Sequence, residues 1–261
     1  NLQKAIDMFE DVLTDRTRIL GPDHPHTLTT RGNLAIAYRE SGNLQKAIDM
    51  FEDVLTDRTR VLGPDHPHTL ITRRDLAVAR LKTGNAPRAM DMLEALFPHM
   101  EQILGPDHPN TLATRSNLAN AHRQAGHVST ALDMHQALLT DMTRILGPDH
   151  PDTLATRNNL AIAHRQAGHV SMAIAMYEAL LADCTRVLGP DHPRTLTARG
   201  NLTAAHREAG SLPKVIALRH QAALANKAHF LGPDHPKEGT VSSALPNPQN
   251  DKWKRRNRKS R

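Results

Sequence analysis

The hexapeptide Leu20-Gly21-Pro22-Asp23-His24-Pro25 is one of six identical copies in this chain of 261 residues. The other copies begin at Leu62, Leu104, Leu146, Leu188 and Leu231, at intervals of 42 residues except for a last interval of 43. A unit of this length cannot close a hydrophobic core alone and must bury its apolar face against the next copy. The sequence therefore predicts a stack of repeats with a large surface for holding another molecule.

The first of two helical patterns in each repeat runs from about Thr27 to Ser41. Its apolar residues recur at helical spacing, with Leu34 and Tyr38 on one stripe. Gly42 predicts the end of this helix, because glycine accepts the left-handed conformation that closes helices. The same glycine returns in every later repeat, at Gly84, Gly126, Gly168 and Gly210.

The second helical pattern runs from about Leu44 to Leu62 and ends at Gly63. Its apolar stripe consists of Leu44, Ala47, Ile48, Phe51, Val54 and Leu55. Pro98 lies inside the equivalent helix of the next repeat. Since proline removes a backbone hydrogen bond and crowds the preceding turn, we expect a kink or a break near Phe97.

The hexapeptide itself is explained as a loop between helices. Its leucine completes an apolar face, its glycine ends a helix and its first proline prevents the helix from continuing. Its second proline suits the opening turn of the next helix, where the missing N–H costs nothing. Either Asp23 or His24 then caps that helix. The motif needs no catalytic role.

The string Asn33-Leu34-Ala35, followed by Tyr38, Gly42, Ala47 and Phe51, resembles the signature of the tetratricopeptide repeat. The added residues and the hexapeptide loop are similar to the 42-residue repeats of kinesin light chains and of related repeat arms in signalling NTPases. The resemblance covers nearly all of residues 1–236. It implies an all-α fold, an α-solenoid in which about 11 helices form antiparallel pairs of a right-handed superhelix.

We expect residues 1–236 to form this solenoid and residues 237–261 to form a disordered basic tail. The first segment, residues 1–25, holds a second helix that lacks its partner, and residues 43–60 repeat residues 1–18 without change. A more polar last repeat would suit a solvent-facing cap, and we predict its closing helix over residues 212–231. The five complete repeats are predicted at residues 26–67, 68–109, 110–151, 152–193 and 194–236.

The net charge of +6 comes from the tail. Seven of the 33 basic residues and no acidic residue lie between Lys252 and Arg261, which leaves 26 basic against 27 acidic residues before Lys252. The tail either binds nucleic acid or an anionic membrane, or acts as a targeting signal, or is a solvated terminus. Its candidate binding residues are Lys252, Trp253, Lys254, Arg255 and Arg256.

The first helices line the concave wall in proteins that this chain resembles, and helical spacing places Gly32, Ile36 and Arg39 on that wall. Four of the five repeats carry arginine at the last of these places. Since guanidinium groups suit carboxylates and backbone carbonyls, we predict a groove for a peptide of acidic character. The alternative is a solvated face whose arginines pair with Glu40, Glu208 or acids of the adjoining helix. The predicted groove residues are Arg39, Asn120, Arg123, Asn158, Ile162, Arg165 and Arg207.

A second row of arginines recurs in all five repeats, on the same stripe as Leu34 and Tyr38. Because a buried arginine must be paired, we expect a structural ladder with acids such as Asp23 or Asp49 rather than a ligand site. The members of this row are Arg31, Arg73, Arg115, Arg157 and Arg199.

The sequence favours neither a metal-binding site nor a catalytic function. Equivalent histidines of neighbouring repeats should lie about 20 Å apart, whereas zinc ligands lie about 2 Å from their metal. The chain also lacks a phosphate loop, a His-Glu-x-x-His motif, a Gly-x-Ser-x-Gly motif and a cysteine pair. We predict no metal, no cofactor and no catalysis. The single Cys184 predicts a reducing compartment, hence a cytoplasmic location.

The predicted function is a non-catalytic scaffold that binds a peptide segment of a partner protein, with no small-molecule substrate. One alternative, based on the resemblance and on the unpartnered first helix, is the sensor or regulatory arm of a larger signalling NTPase. The other is binding to nucleic acid or an anionic surface through the tail.

Overall fold

The computed structural model describes residues 2–211 and 214–218, so the predicted tail and most of the predicted closing helix lie outside the described residues. In that part of the chain ten α-helices follow one another without a strand, and residues 214–218 are also helical. No described helix has the length and apolar content needed to cross a membrane. The helices are α1 (Leu2–Leu20), α2 (Pro25–Glu40), α3 (Leu44–Leu62), α4 (Pro67–Lys82), α5 (Ala86–Leu104), α6 (Pro109–Gln124), α7 (Val128–Leu146), α8 (Pro151–Gln166), α9 (Val170–Leu188) and α10 (Pro193–Glu208).

Each helix packs against the next helix along the chain. The first helices of neighbouring repeats also touch, in the pairs α2 with α4, α4 with α6, α6 with α8 and α8 with α10. Among the ten helices, the backbones of the second helices α1, α3, α5, α7 and α9 do not approach one another to within 8 Å, although the side chains of Lys46 and Glu10 join α3 to α1. The stack therefore curves towards the first helices. We call the surface of the first helices that faces away from the second helices the inner wall. The predicted α-solenoid is confirmed.

A histidine caps the beginning of each first helix. His24 Nδ1 accepts a hydrogen bond from the backbone N–H of His26 at 3.2 Å, and Pro25 occupies the opening turn. Of the two predicted caps, the histidine is therefore the one used, and Asp23 contacts another repeat. The equivalent caps are His66, His108, His150 and His192.

Glycines end both kinds of helix, as the sequence predicts. Gly42 has a φ of +85°, and the turn around it lets the N–H of Asn43 donate to the carbonyl of Tyr38 at 2.9 Å. Gly63, with a φ of +94°, ends α3 and donates to the carbonyl of Thr59. The positive φ values explain why glycine stands at these places.

The predicted apolar stripes form a continuous core. Leu34 and Tyr38 of α2 are buried against Ala47 and Phe51 of α3. Similar clusters follow along the stack, and most of their members are leucine and alanine. The close packing of neighbouring helices rests on these small and aliphatic side chains.

The predicted break at Phe97 is wrong, because α5 is continuous from Ala86 to Leu104. Pro98 lies on the exposed face of α5. Water can therefore satisfy the carbonyl that proline leaves without a donor.

Candidate functional site

The four predicted anchor arginines lie in different surroundings on the inner wall. Arg39 is half-buried, donates to Glu40 at 3.0 Å and lies 3.9 Å from the Asp75 carboxylate. Arg123 donates to Gln166 at 3.0 Å, which links α6 to α8. The other two, Arg165 and Arg207, have no side-chain hydrogen bond or ion pair within the described part of the chain. Arg39 thus follows the alternative in which the row pairs with neighbouring acids.

The remaining predicted groove residues contribute partly to packing. Asn158 accepts a hydrogen bond from Asn201 at 2.8 Å and joins α8 to α10. Ile162 packs against the apolar core around α9. Asn120 is half-buried on α6. Asn158 thus helps to hold two neighbouring first helices together.

Two buried polar side chains lie near Arg123 and Arg165. His135 and Tyr177 occupy the place that Phe51 has in its repeat, and both are fully buried. Neither the ring nitrogens of His135 nor the hydroxyl of Tyr177 has a hydrogen-bond partner among the described residues.

Burial and charge set the protonation of this pair. Burial, with a smaller contribution from the charge of Arg123, lowers the pKa of His135 to about 4. Burial also raises the pKa of Tyr177 to about 12. Both side chains are therefore neutral at pH 7.

Cavities open between neighbouring first helices at three junctions of the inner wall. They measure about 170 Å³ between α2 and α4, about 550 Å³ between α6 and α8, and about 110 Å³ between α8 and α10. Each cavity is lined in part by a residue of the second helix that lies between the two first helices, and this residue has the same position in each repeat. That position holds Arg58, Met142 and Cys184 in the three cavities. The inner wall thus offers a row of recesses whose shared position differs in polarity.

Arg58 is the residue of this row that sequence reasoning missed. Val54 and Leu55 place it on the apolar stripe of α3 by helical spacing. The equivalent residues 42, 84 and 126 positions later are Met100, Met142 and Cys184. The residue 42 positions earlier, Arg16, is also an arginine. The signal was a charged residue at a place that holds methionine or cysteine in the next three repeats.

The second arginine row forms a ladder with partners other than those predicted. Arg31 donates to Asp57 at 2.5 Å, so Asp23 and Asp49 were the wrong acids. The pair recurs as Arg115 with Asp141 and as Arg157 with Asp183, both at 2.7 Å. The hydrogen bond from each arginine lowers the pKa of its aspartate. These contacts occupy three of the five arginines of the row and favour the structural interpretation for those three. Arg199 instead donates to the carbonyl of Pro190 at 3.5 Å, and Arg73 has no side-chain partner among the described residues.

A second ion pair joins each of these arginine–aspartate pairs to the preceding hexapeptide loop. Arg60 contacts both Asp57 in its own helix and Asp23 of the loop. The same arrangement recurs around Arg144 and around Arg186. The aspartate of the hexapeptide therefore connects neighbouring repeats.

Histidines at the Tyr38 place contact glutamates of the preceding helix. His122 lies 3.3 Å from Glu94, and His206 lies 3.6 Å from Glu178. Within residues 2–211 and 214–218, no cluster of three or more histidine, cysteine or acidic side chains could hold a metal ion.

Two family models, both described as tetratricopeptide repeat, match the sequence. One covers residues 1–59, and the other covers residues 111–152 and 153–194. No curated protein matches the chain.

Solved structures share this arrangement of helices. The nearly identical TPR-like repeats of a Podosopora anserina protein, named in its structure as a kinesin light chain, are 27% identical over 77% of this chain and 95% of theirs, with a TM-score of 0.63. BtubC (BKLC) from P. vanneervenii is 19% identical over 95% of this chain and 98% of its own, with a TM-score of 0.70. A Rap protein complexed with competence and sporulation factor is 12% identical over 82% of this chain and 57% of its own, with a TM-score of 0.68. The last two likenesses concern the fold alone.

Proposed function

Because this chain belongs to the tetratricopeptide repeat family, with repeats of the kinesin light chain type, we propose that it is a non-catalytic scaffold whose inner wall binds a peptide segment of a partner protein. Repeats of this family are interaction scaffolds. The Rap protein, which shares the fold, is itself complexed with another factor. The inner wall is the surface of this chain best shaped for such a segment.

The row of cavities between neighbouring first helices carries this proposal. A peptide that crosses α2, α4, α6, α8 and α10 in turn can place side chains in successive recesses. The three recesses differ in the residue at their shared position, so they can select different side chains. A groove built from stacked repeats can therefore select a peptide sequence along its length.

Positive charge along the wall gives the partner its expected character. The guanidinium groups of Arg165 and Arg207 have no partner among the described residues, and the guanidinium group of Arg123 has one partner, Gln166. Guanidinium groups favour carboxylates and backbone carbonyls. We therefore expect a segment that carries acidic side chains.

Peptide display against the intact chain tests this proposal. We expect selection of segments with acidic residues, and loss of their binding when Arg39, Arg123, Arg165 and Arg207 are all replaced by alanine. The matched control replaces four exposed basic residues on second helices, Lys4, Arg18, Lys46 and Arg88, which removes the same charge away from the wall and keeps the arginines that join neighbouring repeats. Equal loss of binding in both variants, or no loss in the first, would contradict the proposal.

A further inference from the structure

The cavity between α2 and α4 contains a buried charge. Its volume is about 170 Å³, and its lining includes Phe51 and Arg58 of α3. Arg58 is only 6% exposed. At the equivalent place the other described cavities have methionine and cysteine, which are uncharged.

The hydrogen-bond partners of Arg58 are neutral. Its Nη1 donates to the carbonyl of His68 at 3.0 Å and to the hydroxyl of Thr72 at 2.7 Å, and its Nη2 donates to the carbonyl of Leu28 at 3.4 Å. Its Nε is buried without a partner among the described residues. Within that part of the chain no carboxylate lies within 4 Å of it. A buried cation of this kind is costly until an anion joins it.

The one acidic side chain of the cavity lining is already paired. Asp75 lies 2.9 Å from Arg74 and 3.9 Å from Arg39. Its negative charge is thus offset by two arginines that are not part of the cavity lining, and Arg58 leaves the cavity with an excess of positive charge. Burial and the charge of Arg58 lower the pKa of His68, which also lines the cavity.

Gly32 leaves space beside the Arg58 guanidinium. A Cβ atom at Gly32 would lie 3.6 Å from Nη2 of Arg58, so any side chain there would fill the space next to the charge. The equivalent positions of the next three repeats have Arg74, Ser116 and Asn158. The combination of a buried arginine and a glycine in front of it occurs at this junction alone among those that the structure describes.

We propose that this cavity binds the carboxylate of an aspartate or glutamate side chain from the partner peptide. The proposal rests on the proposed function and deepens it. The guanidinium supplies the charge and the donors that a carboxylate needs. Ile36, Ile71 and Phe51 supply apolar surface for the methylene groups that carry it. The volume of about 170 Å³ is large enough for a short acidic side chain.

Nuclear magnetic resonance of the full chain, labelled with ¹⁵N in arginine and histidine, tests the site. The probe is the blocked pentapeptide Ala-Ala-Glu-Ala-Ala, compared with Ala-Ala-Gln-Ala-Ala and with sodium acetate at constant ionic strength. We expect the glutamate peptide to shift the Arg58 Nε resonance in a saturable way and to raise the pKa of His68. The glutamine peptide should do neither. Acetate that competes with the glutamate peptide would support the site, whereas acetate that binds when the glutamate peptide does not would overturn a peptide side chain as the occupant.

Variants taken from the other repeats separate the site from general effects. Arg58→Met introduces the residue of Met142, and Gly32→Ser introduces the residue of Ser116, so both have precedent in this fold. We expect each to weaken binding of the glutamate peptide at least about tenfold. Gly200→Ser, at the same register of α10, should bind like the unchanged chain.

The two proposals fail separately. Unchanged affinity of the Arg58→Met chain, shown by circular dichroism to be folded, would overturn the carboxylate site without affecting the groove. Binding of the glutamate peptide that is lost in Arg58→Met, together with display that selects no inner-wall peptide, would overturn the groove and leave the site as one for isolated carboxylates.

Discussion

Arg31 of α2 donates to Asp57 of α3 at 2.5 Å, and the same pair recurs at equivalent places in two later repeats. Each aspartate also contacts an arginine three residues later in its own helix. The ladder therefore fixes how the two helices of a repeat meet, and through the loop aspartates it joins neighbouring repeats. The repeat of residues 68–109 differs, because His99 stands at the aspartate place and Gln102 at the arginine place.

Restoring the ladder in this repeat should stabilise the stack. In the variant with His99→Asp and Gln102→Arg, the new aspartate can pair with Arg73, and the new arginine can reach Asp65. We expect the midpoint of thermal unfolding to rise by about 2 °C, because partly exposed ion pairs contribute little individually. Asp141→Asn, which breaks an existing pair, should lower it. A rise that 1 M salt does not reduce would argue against an ionic cause.

The cap histidines should contribute to stability through one hydrogen bond each. His108→Ala removes the acceptor of the Asn110 N–H and should lower the free energy of unfolding by about 1 kcal/mol. His108→Asn should recover most of it, because asparagine is a good cap. The control is His127→Ala, since His127 begins α7 without a side-chain cap bond. Urea denaturation measures all three, and equal losses at both histidines would contradict this role.

Replacing glycine with alanine should lower the free energy of unfolding at a helix end with positive φ and raise it inside a helix. Gly42→Ala forces a side chain into a φ of +85° and should cost about 1–2 kcal/mol of unfolding free energy. Gly200→Ala lies within α10, where an added Cβ meets nothing within 4 Å, and should stabilise by up to about 1 kcal/mol. Denaturation of the two variants in parallel checks the difference in sign.

The buried His135 should make stability depend on pH. Its pKa is about 4 in the folded chain against 6.5 for an ordinary histidine, so between these values the unfolded chain binds the extra proton. Stability should be fully present above pH 6.5 and fall as the pH decreases towards 4, by up to about 3 kcal/mol. His135→Leu, which copies Leu93 at the equivalent place, should lose this part of the pH dependence. Identical slopes of unfolding free energy against pH in the two proteins would show that His135 is not the cause.

Most of the fold could be predicted from the sequence because the repeat interval and the local signals agree. Gly42, Pro25 and the stripe through Leu34 and Tyr38 act within one helix or one turn, and the structure confirms them. The break expected at Pro98 did not occur, because the cost of a proline depends on which face of the helix it occupies. That face is set by packing against neighbouring helices.

The site was less predictable because its contacts join residues of different helices. The partner of Arg31 lies 26 residues away, and Asp23, which seemed available, pairs with Arg60 of α3. The cavity at Arg58 depends on Gly32 of another helix and on the distance between α2 and α4. Helical spacing identifies the face of each residue but not the partner across the interface.

Hydrogen exchange of the chain, free and bound to a peptide selected by display, tests the inner wall most directly. If the peptide lies along this wall, exchange should slow in α2, α4, α6, α8 and α10, and the second helices α3, α5, α7 and α9 should change little. Protection concentrated in the second helices, or confined to residues 252–261, would contradict the account.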